Sequence, residues 1–122
     1  MKKLAVMLLL LSGIAVISCK KETVDTIECD TSGFTTTTIK YSTVVEPILS
    51  ASCYSCHSNS IQKGGVNLQG YANAKTYADN DKLLGTIAHL SGFQAMPEGG
   101  SKLDQDKICK IKFWIENGTQ NN

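Results

Sequence analysis

Cys53-Tyr54-Ser55-Cys56-His57 is the stretch of this chain richest in chemistry. Two thiols separated by two residues fall on one side of a single helical turn, and an imidazole follows at once. C-x-x-C-H is the attachment signature for c-type haem. Both thiols add to the vinyl groups of one porphyrin edge, and the histidine offers a ring nitrogen to the iron. On this reading Cys53 and Cys56 are thioether anchors and His57 is the proximal iron ligand. Two plainer chemistries use the same residues. A Cys-x-x-Cys pair can be a redox dithiol, or half of a zinc site completed by His57 and a further ligand. A zinc site needs more ligands at a recognisable spacing, and His89, Cys29 and Cys109 stand alone in the sequence.

The elements that must position these residues read as helices. Thr43 and Glu46 have capping-box spacing, and Pro47 falls in the first turn, where its missing N–H matters little. A first helix is therefore expected from Ser42 or Thr43, with Val44, Ile48 and Ala51 on one face, delivering Cys53 at its end. Residues 58–70 form a loop punctuated by Gly64 and Gly65. Two short helices follow over 71–78 and 82–89, with turn chemistry at Asp79-Asn80-Asp81 between them. A loop over 91–102 carries three glycines and Pro97. The last helix has Asp104 as N-cap and a Leu103–Ile108 staple. Ile108, Ile111 and Ile115, with Trp114, form its buried stripe, and Gly118 ends it as the left-handed residue. Upstream, residues 33–41 are threonine-rich and read as extended chain. The fold class is all-α.

The N-terminus bears on compartment. Lys2 and Lys3 precede an apolar run from Leu4 to Ile17, which is short for a membrane span of about 20 residues and normal for a signal-peptide core. It closes on Val16-Ile17-Ser18-Cys19, which resembles the lipobox of bacterial lipoproteins. Residues 1–18 are then a removed signal peptide, 19–30 a tether lipidated at Cys19, and 31–122 one domain. The protein is expected to be exported and lipid-anchored, on the periplasmic or cell-surface face of a bacterial membrane. Without Lys2 and Lys3, ten of the twelve basic residues face eleven acids. That near-neutral balance gives no support for nucleic-acid binding.

Cysteine arithmetic leaves one pair. With Cys19 assigned to lipid and Cys53 and Cys56 to haem, Cys29 and Cys109 remain in an oxidising compartment, and a disulfide between them is expected. It would tie the N-terminal segment to the last helix and stabilise by roughly 2–4 kcal/mol.

The order Cys53-x-x-Cys56-His57, Gly64-Gly65-Val66-Asn67-Leu68, Met96-Pro97 in a glycine-bearing loop and Trp114-Ile115-x-x-Gly118 resembles class I c-type cytochromes. The resemblance covers about residues 41–122 and is nearest to the small bacterial lipoprotein and planctomycete-type cytochrome c domains. It implies a cytochrome c-like fold of about four short helices around one covalent haem c. Met96, the sole methionine after the leader, becomes the distal iron ligand, with His89 as the rival. Many members carry a Gly-Pro pair after the haem motif; here the region reads Gly64-Gly65-Val66. Phe93 is expected on the pocket wall, Trp114 near the haem with its N–H toward a propionate, and Lys63 and Lys102 are further propionate candidates.

With the iron saturated on both sides the implied role is a monohaem carrier of single electrons between exported redox partners, monomeric and not an enzyme. The donor and acceptor are not named by the sequence. The alternatives are a haem sensor or enzyme with an open distal site, and an accessory module of a larger redox complex.

Overall fold

Pro47 shapes the first helix. It has no N–H to return to Thr43, and its ring crowds that carbonyl. In the computed structural model, which describes residues 23–122, a wider π-helical turn at Tyr41–Val45 precedes it and runs into α1, Glu46–Ser52. The expected capping box at Thr43 does not form. The helical run begins at Tyr41, and its first N–H groups are met from the far end of the chain. Tyr41 N–H donates to Asn122 Oδ1 at 2.9 Å, and Ser42 N–H donates to the Asn122 backbone oxygen at 3.0 Å. The signal peptide, Cys19 and the start of the tether lie outside the described residues.

Three more helices follow: α2, Tyr71–Ala78; α3, Lys82–Ile87; and α4, Gln105–Glu116. No strand occurs among the described residues, whose one β-type contact is the isolated bridge between His57 and Gln62. The all-α class holds. Short 3-10 turns sit at Val24–Thr26 and Lys63–Gly65. The expected helix over 82–89 stops at Ile87, because His89 takes a left-handed backbone with φ 57°. Asp81, also left-handed at φ 62°, makes the break between α2 and α3.

The last helix is organised by its ends. Leu103 and Ile108 are both buried in the core, as a staple requires. Asp104 makes no side-chain cap; its carboxylate pairs instead with Lys107 at 3.1 Å. At the other end Gly118 has φ 89°. Its N–H bonds the Ile115 carbonyl, and the Thr119 N–H bonds the Trp114 carbonyl, each at 3.0 Å, which is a Schellman motif.

Val45, Leu49, Ile108 and Ile111 are fully enclosed at the centre. Burying a side chain of this size contributes about 1.5–3 kcal/mol. Trp114 lies against Tyr41, with ring centroids 5.5 Å apart, and Tyr41 packs edge-on to Tyr71 at 5.3 Å. This cluster joins the first helix, α2 and α4. The expectation of Trp114 beside a haem propionate is corrected: its Nε1–H donates to the Gln120 carbonyl at 2.8 Å.

Cys29 and Cys109 form the expected disulfide, with Cα atoms 5.4 Å apart and a sequence separation of 80. Gln105 reinforces that clip by donating to the Glu28 carbonyl at 2.9 Å. The N-terminal segment is thereby tied to α4.

Candidate functional site

Leu49 anchors the motif, since its carbonyl accepts the Cys53 N–H at 2.8 Å as α1 ends. The Cys53 carbonyl in turn accepts the N–H groups of Cys56 and His57 at 3.1 and 2.9 Å. One more turn of chain is thus wound beyond α1, and it sets both cysteines and the histidine at the border of one cavity. His57 is buried, and its Nδ1 lies 3.3 Å from the Val66 carbonyl. A carbonyl only accepts, so Nδ1 carries the proton and Nε2 holds a lone pair. The Gly64-Gly65-Val66 region therefore supplies the orienting oxygen, although it lacks proline.

Cys53, Cys56, His57 and Met96, the residues singled out in the sequence, border one cavity of about 650 Å³. Val66 and Leu68 line it from the loop, Tyr77 from α2, and Leu83, Thr86 and Ile87 from α3. Phe93, expected on a pocket wall, is on the wall, and Leu103 also lines the cavity. Sequence reasoning missed Leu83, Ile87 and Leu103 as lining; their apolar spacing marked them only as core. It also missed Glu98. This carboxylate pairs with Lys63 across the rim, and the ammonium beside it holds the Glu98 carboxyl below its usual range while raising Lys63.

Met96 is held by its backbone. Its N–H donates to the Thr86 carbonyl at 3.0 Å, and its own carbonyl lies 3.0 Å from His89 Nε2. His89 thus serves to pin the Met96 loop onto α3. It does not border the cavity, so its candidacy as a distal ligand is corrected. Lys102 is likewise away from the lining.

The two motif cysteines are not joined to each other by a disulfide. Burial pushes the Cys53 thiol up to about 11. A thiol so placed is protonated at neutral pH and is a poor nucleophile, which argues against a redox dithiol.

No protein-family model, curated protein or solved structure matches the chain. Among the described residues, no group of three or more His, Cys, Asp or Glu side chains gathers to hold a metal ion. Cys53, Cys56 and His57 do not converge on one point as three ligands of an ion would, which removes the zinc reading. On these findings the expectations from the resemblance are corrected to a coarser statement. Membership of the class I c-type cytochromes, the cytochrome c-like fold, covalent haem c with its iron, single-electron transfer and the open-site haem sensor are not conclusions for this chain. What stands is a small all-α domain with a Cys29–Cys109 disulfide, an aromatic cluster and an apolar cavity bordered by Cys53, Cys56, His57 and Met96.

Proposed function

We propose that this chain is a lipid-anchored binding protein whose cavity takes up one bulky, mainly apolar molecule. The cavity itself carries the reading. A volume of about 650 Å³ lies within the range of small-molecule sites, about 300–1,000 Å³. Filled with water, it would wet apolar walls that a ligand would otherwise cover. The occupant therefore belongs to the folding free energy of the protein.

Cys53, Cys56, His57 and Met96 are proposed as the groups that contact this molecule. His57 offers the Nε2 lone pair, Met96 a soft thioether, and Cys56 an exposed thiol. The protein is proposed to bind rather than to catalyse. Its protonated Cys53 is not an activated nucleophile, and His57 is oriented by a carbonyl in place of a carboxylate. Anchorage through Cys19 on an exported face of a membrane completes the proposal, with no role for nucleic acid.

Thr86→Phe tests it by placing a ring in the lining. The full chain, expressed with its own leader and purified from membranes, is expected to carry a small molecule that the variant carries at a severalfold lower ratio per chain. Far-UV dichroism should stay helical. An equal ratio in both proteins contradicts the proposal.

A further inference from the structure

Gly85 lies in the middle of α3, buried, where glycine weakens a helix relative to alanine. Its backbone is ordinary for a helix, so no positive φ demands a glycine. The demand comes from a side chain. A Cβ at Gly85 would meet Cγ, Cδ1 and Cδ2 of Phe93 at 2.5–2.6 Å, a distance that real atoms do not tolerate. The ring of Phe93 is seated directly on the helix backbone.

That seat cannot yield by a shift of the chain. Phe93 N–H donates to the Leu90 carbonyl at 3.2 Å, and Leu90 N–H donates to the Gly85 carbonyl at 3.0 Å. The turn that carries the ring is thus fastened to the residue beneath it. Phe93 borders the cavity and Gly85 does not, so the ring is the wall between them. Pushed off Gly85, it has the cavity to move into.

We infer that the missing side chain of Gly85 sets the width of the cavity by letting Phe93 lie flush on α3, and so determines how bulky a molecule the site accepts. This rests on the binding reading above. Gly85 is a specificity-determining position that acts through Phe93, touching no ligand itself.

Nile red, a flat apolar fluorophore, tests this on the full, disulfide-intact chain after delipidation. The wild type is expected to bind the dye, and Gly85→Ala to bind it about tenfold more weakly, in line with the cost of overpacking. Adding Phe93→Ala to Gly85→Ala should restore affinity, because alanine lacks the Cγ, Cδ1 and Cδ2 atoms that meet the new methyl. Circular dichroism on each variant reports whether α3 persists. Equal affinity in wild type and Gly85→Ala overturns the inference while leaving the binding reading intact. So does a loss of affinity that Phe93→Ala fails to restore. A wild type that binds no dye overturns the binding reading itself.

Discussion

Cys53 shows how burial decides chemistry at a single residue. Its thiol is raised to about 11 by desolvation, against an ordinary value near 8.5. The neutral thiol is favoured by the fold, so this contribution to stability is complete below the unfolded value and is lost as pH climbs through 11. Where the Cys53 thiol is free, it should alkylate at pH 8 more slowly than exposed Cys56 by a factor of ten or more, roughly in step with its smaller thiolate fraction. Peptide mass mapping after a timed iodoacetamide pulse reads the ratio, and equal rates would contradict the burial argument. Local spacing marked Cys53, Cys56 and His57 as one group, and they do border one cavity, but the haem chemistry read from that spacing is corrected. Phe93 lies on the cavity wall as expected, and Met96, expected as an iron ligand, is placed only at the border of the same cavity. Glu98 was not legible, since its partner Lys63 is brought to it by folding of two loops distant in sequence.

Elements were legible where their signals are local. The span of α2, the turn at Asp79-Asn80-Asp81, the Leu103–Ile108 staple and the stop at Gly118 all depend on neighbours within a few residues. Gly118→Ala, forcing a Cβ onto φ 89°, should cost about 1–2 kcal/mol in urea unfolding; an unchanged midpoint would show that the Schellman turn is not held by glycine. The start of the first helix was misread because its partners are remote. Pro47 reshapes the turn before it, and Asn122 supplies acceptors that no window around Thr43 contains. Asn122→Ala is accordingly expected to destabilise by about 1 kcal/mol, the worth of a helix cap, whereas Thr43→Ala should be close to neutral. The reverse order in denaturant midpoints would restore the local capping box. Asp104 teaches the same lesson in small: a good N-cap by type, it spends its carboxylate on Lys107.

At the scale of the whole molecule, two devices hold a small core around a large hollow. The first is the Cys29–Cys109 disulfide, expected by assigning the other three cysteines to lipid and haem; the pair forms although the haem assignment is corrected. Replacing both cysteines by serine should lower unfolding free energy by about 2–4 kcal/mol, measured by urea titration monitored through Trp114 fluorescence; an unaltered midpoint would deny it a stabilising role. The second is the molecule proposed to fill the cavity. Its walls come from the motif turn, α2, α3 and the 91–103 stretch, and no periodicity distinguishes a residue facing a hollow from one facing the core. That is why the lining of α3 was read as packing. The direct measurement is the intact mass and absorption spectrum of the full chain purified without denaturation from the cells that express it, compared with the same sample after solvent extraction and unfolding. The account predicts mass beyond the processed, acylated polypeptide, close to one equivalent of a bulky apolar molecule whose spectrum identifies it. A folded chain carrying only its terminal lipid, with a melting temperature unaffected by extraction, would contradict it.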